Sequence, residues 1–396
     1  MSFSQLGLND PILKALADVG YSQPTEIQKQ AIPIILSGRD LMAAAQTGTG
    51  KTASFVLPLL QKLDAQAGFS ELRGRSIRAL ILTPTRELAV QVEANIVEYA
   101  KYLDISSLAV YGGVDSEAQK DRLMDGVDIL VATPGRLLDL AYQRALFFSD
   151  LEFLVLDEAD RMLDMGFIDD LNKIIDRLPS DRQSLLFSAT LTDDIRHLAD
   201  TVYDDAAEIS IATNKKTAPK IKQWLITVDK DRKSALLSHL INEQQWNQTL
   251  VFVEKKHSAA KLVEQLGKRG ILADSIHSGR SQAVREQILA DFKAGKLRFL
   301  IATGIAARGI DIDDLSRVVN YDLPYPSEEY IHRIGRTGRA GAKGEAISLV
   351  SKDDFKNLCA IESLLGHIIE RKEVEGFAVK KAVPISILNY LPKRRV

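Results

Sequence analysis

Short apolar runs rich in Val, Ile, Leu and Ala end in small or polar residues and alternate with helix-length amphipathic segments along most of the chain. That alternation predicts βαβ units and a parallel sheet, because strands covered by helices on both faces stay apolar throughout. A first series of strands is expected at Asp40 to Ala44, Ala79 to Thr83, Leu108 to Tyr111, Asp128 to Ala132, Phe153 to Leu156 and Ser184 to Ser188. A second is expected at Thr249 to Val253, Ala273 to His277, Arg298 to Ala302, Arg317 to Tyr321 and Glu345 to Val350. Between the series, residues 211–219 are polar and end in Pro219, which reads as a linker. The expected fold is therefore α/β: two doubly wound parallel-sheet domains, 1–210 and 220–375, joined by that short linker, with a C-terminal extension over 376–396.

Composition changes this picture little but excludes several classes. At 396 residues with 45% hydrophobic and 26% charged residues, the chain is globular and too long for one ordinary core. No apolar run is long enough to span a bilayer, and Met1 to Gln5 lacks the basic and apolar regions of a secretion signal, so a soluble cytoplasmic protein with no membrane role is expected. The single cysteine, Cys359, excludes an internal disulfide or a Cys-rich metal site. Lys plus Arg (51) nearly balances Asp plus Glu (53), so any polyanion site must be local. The basic end, Leu391 to Val396, reads equally well as the stub of a longer tail and as a frayed terminus.

Candidate chemistry concentrates in a few runs. Ala45, then Gln46-Thr47-Gly48-Thr49-Gly50-Lys51-Thr52, follows an expected strand and opens a helix, which is the pattern of a Walker A loop with Ala for the first Gly. Backbone N–H groups of such a loop cradle phosphate oxygens, Lys51 reaches the β- and γ-phosphates, and the Thr52 hydroxyl takes Mg²⁺. The strand Phe153 to Leu156 runs into Asp157-Glu158-Ala159-Asp160, the Walker B position: Asp157 would hold Mg²⁺ largely through water and Glu158 would act as base toward the attacking water. Upstream, Tyr21 and Gln28 suit purine recognition by stacking and paired hydrogen bonds, although a core Tyr and a surface Gln would read the same way. In the second half, His332 to Arg339 packs three guanidiniums among glycines; Arg336 and Arg339 are candidate arginine fingers opposite a Walker pair.

Taken together and in order, these motifs resemble those of the DEAD-box RNA helicases of superfamily 2, and within them the bacterial RhlE-type group. The resemblance covers nearly the whole chain and implies two tandem RecA-like domains. It implies that Tyr21 and Gln28 read adenine and that Asp311 touches the ribose. It places an RNA track on Pro84-Thr85-Arg86, Gly112-Gly113, Thr133-Pro134-Gly135-Arg136, Gln282, Arg285 and Thr303, and coupling of nucleotide to RNA on Ser188, Thr190, Asp160 and His332. Such groups grip the sugar-phosphate chain without reading bases.

Two departures stand out. The family's His-Gly-Asp is His277-Ser278-Gly279-Arg280 here, and its Ala-Thr-Asp is Ala302-Thr303-Gly304. Gly304 predicts weaker coupling, which an Asp there would strengthen unless Gly304 faces solvent or a nearby acid such as Asp311 or Asp313 substitutes. The expectation is an ATP- and Mg²⁺-dependent RNA helicase, catalytic through Glu158, Lys51, Arg336, Arg339 and Asp157, that closes its two domains and locally unwinds or remodels short duplexes. It is expected to be monomeric, with ribosomal or degradosome-type assemblies as partners by resemblance. An ATP-gated RNA clamp with incidental hydrolysis and a DNA helicase are the alternatives, and RNA- against DNA-stimulated turnover separates all three.

Overall fold

The computed structural model describes residues 2–45, 48–65, 76–203, 205–211, 221–307, 312, 315–338 and 344–388. Gln46, Thr47, Asp311, Asp313, Arg339, most of the expected linker and the basic terminus lie outside these residues. The chain divides into two compact units, Met1–Thr213 and Asn214–Val396.

The first unit is built on β1 (Leu41–Ala44), β2 (Ala79–Leu82), β3 (Ser107–Val110), β4 (Ile129–Ala132), β5 (Phe153–Leu156), β6 (Gln183–Ser188) and β7 (Ala207–Ser210). All pair in parallel in the order β3-β4-β2-β5-β6-β1-β7. Alternate residues of one strand feed cores on opposite faces: Ala79 and Ile81 join one cluster, Leu80 and Leu82 the other. That is why the central strands read as unbroken apolar runs.

The second unit holds β8 (Ile221–Thr227), β9 (Thr249–Val253), β10 (Ala273–Ile276), β11 (Phe299–Thr303), β12 (Arg317–Asn320), β13 (Gly344–Val350) and β14 (Glu370–Lys372). Its order is β10-β11-β9-β12-β13-β8-β14, again all parallel. Counted from its own first strand, each unit has the same order, so the two sheets are copies of one topology. Residues 376–388 lie on the second unit, where Val383 is buried and its carbonyl accepts a hydrogen bond from Arg371.

In each unit every strand points the same way, so the loops that follow the strands gather along one edge, where open α/β sheets bind ligands. β7, β8 and β14 are additional to the eleven strands expected.

Candidate nucleotide and RNA sites

At the carboxyl end of β1 the chain turns through Gly48 (φ 79°) and Gly50 (φ 90°) into the helix Lys51–Asp64. Gly50 is obligatory on two grounds: its φ is left-handed, and a Cβ would stand 2.5 Å from Nε2 of Gln28. Lys51 is buried, and its Nζ has no hydrogen-bond acceptor among the described residues. A buried ammonium without an acceptor is costly, so this group fits an anionic ligand such as a phosphate.

Asp157 and Glu158 close the opposite side, both buried. Burial pushes the Asp157 carboxyl up to about 6, against the pull of Lys51 and with a further push from Glu158. A carboxylate so desolvated fits a cation, and among the described residues no three His, Cys, Asp or Glu side chains form a metal cage. Mg²⁺ would therefore rest on Thr52, Asp157, water and nucleotide oxygens. Glu158 adopts φ 53°, ψ 48°, left-handed for a residue with a side chain, while its N–H donates to Oδ1 of Asp157 at 2.9 Å. Strain of this kind persists only where the surroundings enforce it, and it re-aims the Glu158 carboxylate.

Two neighbours of this site were not among the expected residues. Arg161, buried, sets Nη1 3.1 Å from Oε2 of Glu158; the spacing of three residues on one helix was the signal that could have revealed it. Phe3 stacks on Tyr21 with centroids 6.4 Å apart, and Tyr21 also bonds its hydroxyl to that of Tyr99 at 3.2 Å. Nothing in the pattern around Phe3 links it to Tyr21.

Gln28 is buried and already engaged. Its Oε1 accepts from the N–H of Thr25 at 2.8 Å, completing a capping box, and its Nε2 donates to the Gly50 carbonyl at 3.1 Å. A purine bound here would meet an amide that also holds the phosphate loop. After β5 and β6, Asp160 accepts from the Ala189 N–H at 3.1 Å and the Thr190 hydroxyl at 3.4 Å, and Ser188 donates to the Thr190 carbonyl at 2.6 Å. The structure thus brings Asp160, Ser188 and Thr190 together as one network.

The first unit's expected RNA residues also converge. Thr85 caps the helix Arg86–Tyr99 through the Leu88 N–H. Arg86 lies flat against the glycine pair: a Cβ on Gly113 (φ 85°) would stand 2.0 Å from its Nη1. Arg136 donates to Gln119 at 2.7 Å and to the Val114 carbonyl at 2.9 Å, while Gln119 donates to the Tyr111 carbonyl at 3.2 Å. Arg136 and the unexpected Gln119 therefore brace the loop carrying Gly112 and Gly113. Thr133 precedes the helix Pro134–Tyr142, which opens on Pro134 and Gly135.

In the second unit Gln282 and Arg285 are buried in the first turn of the helix Gln282–Lys293, and Thr303 ends β11. Arg280 pairs with Asp274 at 2.9 Å, and His277 accepts the Gly279 N–H at 3.1 Å. Burial, then the charges of Arg280, Lys256, Arg285 and His257, hold His277 below its ordinary value, which marks a locally basic field. Arg336 is buried, and its carbonyl accepts from the Leu315 N–H; His332 is half-buried. Arg333 belongs to the core: it donates to the Asp322 carbonyl at 2.9 Å and lies over the Phe252 ring.

The profile described as DEAD/DEAH box helicase matches residues 25–198, and that described as helicase conserved C-terminal domain matches 232–341. The RNA helicase CrhR of Synechocystis sp. is 42% identical over 387 residues, covering 96% of this chain and 77% of the relative. The ATP-dependent RNA helicase CshA of Listeria monocytogenes is 42% identical over 360 residues, covering 91% and 68%. Among solved structures, S. cerevisiae Dbp5 bound to RNA and ADP BeF3 superposes with a TM-score of 0.83 at 34% identity, covering 94% of this chain and 96% of that one.

Proposed function

The chain belongs to the DEAD-box RNA helicases, with two tandem RecA-like units, and from that premise we propose how its own residues perform ATP-dependent RNA remodelling. The observation that carries the reading is Lys51: a buried ammonium without an acceptor among the described residues, across from a carboxylate that burial holds up at about 6. Lys51 compensates the β- and γ-phosphate charge, and the loop around Gly48 and Gly50 supplies backbone donors. Thr52 and Asp157 would hold Mg²⁺, largely through water, and the ion would supply further neutralisation of phosphate charge. Glu158 takes the proton of the attacking water, its carboxylate aimed by the strained backbone and by Arg161. Tyr21 stacks on adenine, and Gln28 pairs with its edge while bonding Gly50, so base identity reaches the phosphate loop.

Arg86 with the glycine pair, Thr133 and Pro134 on the first unit, and Gln282, Arg285 and Thr303 on the second, grip the RNA backbone. ATP and RNA together close the units, bringing Arg336 and Arg339 onto the γ-phosphate; closure separates short duplexes locally, and hydrolysis resets the open state. Asp160, Ser188, Thr190 and His332 link the two events. Among the described residues no helix is long and apolar enough to cross a membrane. RhlE-type grouping and action on ribosomal or degradosome-type assemblies rest on motif resemblance, and a cytoplasmic monomer completes the proposal.

The test is ATP turnover with saturating RNA, with DNA of the same sequence, and with neither. RNA is expected to stimulate strongly and DNA weakly, since only RNA offers the 2′-OH. Equal stimulation by DNA would overturn the RNA assignment, and RNA retention in ATP without stimulation would identify a clamp.

A further inference from the structure

Gly304 opens the short helix Gly304–Ala307 directly after Thr303, the position at which the Ala-Thr-Asp pattern that this segment resembles would place an acid. The space beside it is occupied. A Cβ on Gly304 would stand 3.2 Å from Oε1 of Glu329 and 3.3 Å from Nη2 of Arg333, closer than ordinary van der Waals contact. Both side chains are buried, Glu329 at 7% and Arg333 at 5% exposure, and Oε1 of Glu329 lies 3.8 Å from Nε of Arg333.

Arg333 is a cross-brace. Its guanidinium sits over the ring of Phe252 from β9, donates to the Asp322 carbonyl beyond β12, and reaches Oδ1 of Asn320 at 3.4 Å. Arg333 lies in the helix Glu329–Ile334, which leads directly into the turn carrying Arg336. Whatever holds Arg333 therefore holds the base of the arginine-finger loop. A guanidinium this buried needs a carboxylate nearby, and Glu329 is the one in contact with the gap beside Gly304.

We infer that Glu329 is the positioning residue that supplies this carboxylate from the helix before Arg333, and that Gly304 is the space it requires. The acid missing after Thr303 is thereby replaced from the opposite side of the gap. Aspartate at 304 would place a second carboxylate against the first in a desolvated pocket, where two like charges cannot both ionise comfortably. The expected sign for Gly304→Asp is therefore loss, the reverse of what the motif pattern alone suggests.

This inference rests on the proposed function for its kinetic readout but not for its structural one. In the full chain, Gly304→Asp is expected to lower kcat of RNA-stimulated hydrolysis about tenfold or more. Half-saturating ATP should stay unchanged, because the Walker residues lie in the first unit. Glu329→Ala alone should lose as much. Gly304→Asp with Glu329→Ala, which moves the carboxylate across the gap, should recover most of the rate. Thermal unfolding without nucleotide should show the same loss and rescue. If the parent chain shows no RNA-stimulated turnover, the proposed function fails while the unfolding series still decides the inference. Should Gly304→Asp fail to fold, folding of the double variant is the expected rescue. A Gly304→Asp chain with rate and unfolding midpoint at or above the parent's, or a double variant no better than the worse single one, overturns the inference.

Discussion

Lys51 and Lys233 stand at matching places in the two sheets, each the first residue of the helix that follows the sixth strand in sheet order. Both are buried. Lys51 has no hydrogen-bond acceptor among the described residues, whereas Lys233 donates to the Tyr321 carbonyl at 2.9 Å and to Asp354 at 2.8 Å, with Asp322 at 3.8 Å. The carboxylates differ in the same sense. Burial holds Asp157 above its ordinary value, while at Asp354 burial is outweighed by Lys233 and by hydrogen bonds from Lys233 and Ser351, so it lies below. One topology thus holds two opposite solutions: among the described residues the first unit leaves its buried cation without an acceptor, as a phosphate site requires, and the second neutralises its own internally. The glycine loop makes the difference, since β8 is followed by Val228-Asp229 and a 3₁₀ turn instead of Gly48 and Gly50.

The largest expected effects break the first unit's chemistry without touching its fold. Glu158→Gln should abolish turnover while ATP affinity survives, and Lys51→Ala should weaken ATP binding itself, because one removes the base and the other the phosphate's countercharge. Arg336→Ala, in the second unit, should cut kcat roughly 10³-fold with little change in RNA-free ATP affinity. Single-turnover hydrolysis beside equilibrium nucleotide binding checks all three; equal loss of ATP affinity in all would contradict the division of roles.

Next in size is a stability contrast. Lys233→Met leaves Asp354 and Asp322 without their buried cation and should destabilise the second unit by about 3–5 kcal/mol. Lys51→Met removes an ammonium that has no acceptor among the described residues and should leave the first unit's stability unchanged or higher. Chemical denaturation of the full chain, followed by Trp fluorescence for the second unit (both tryptophans, Trp224 and Trp246, lie there) and by circular dichroism, reads the two effects separately. Equal destabilisation by both variants would remove the contrast.

How much of this was legible in the chain follows from where each signal resides. Strands buried on both faces, such as Phe153 to Leu156, show as apolar runs. β14 is Glu370-Arg371-Lys372 and lies at a sheet edge, where only one side is paired and charge is tolerated. β7 alternates buried and exposed residues at the other unit's edge, and β8 begins with the polar-interrupted Ile221-Lys222-Gln223. Candidate residues on loops were legible because positive-φ glycines such as Gly50 and clustered charges such as Asp157-Glu158 stand out in a chain whatever surrounds them. Phe3 and Gln119 were not, because each acts through a contact distant in sequence and has an ordinary local pattern; Glu329 stands four residues before Arg333 on one helix, but the gap beside Gly304 that it fills is distant in sequence. The same reason hid the match between the two sheets: strand order is a property of pairing and leaves no periodicity to read.

A smaller effect is expected at Gln28, whose amide bonds the Gly50 carbonyl of the phosphate loop and is proposed to read the base as well. Gln28→Ala removes the reciprocal capping bonds with Thr25 and the bond to Gly50, at a cost of about 1 kcal/mol. Discrimination of ATP from GTP should erode together with that stability, because the same amide serves both. Competition of GTP against ATP in the parent and the variant measures it; a loss of stability with discrimination intact would assign Gln28 to the fold alone.

The smallest effect sharpens the comparison from the second unit's side, through pH. Asp354 lies below its ordinary value in the folded chain, so the unfolded chain binds the more protons as pH falls through the carboxylate range. Its contribution is therefore fully present above the ordinary Asp value of 3.8 and is lost as pH falls through the lower, folded value. Asp354→Asn should lower the second unit's unfolding midpoint at pH 7 by a few degrees, at about 2–4 °C per kcal/mol for a unit of this size. The gap between parent and variant should then narrow as pH falls below about 4, because the parent's carboxyl becomes neutral as well. Unfolding curves across that range decide it: a gap that stays constant with pH would mean that Asp354 acts through its shape and its bonds to Ser351, and that Lys233 is held by Asp322 and the Tyr321 carbonyl instead.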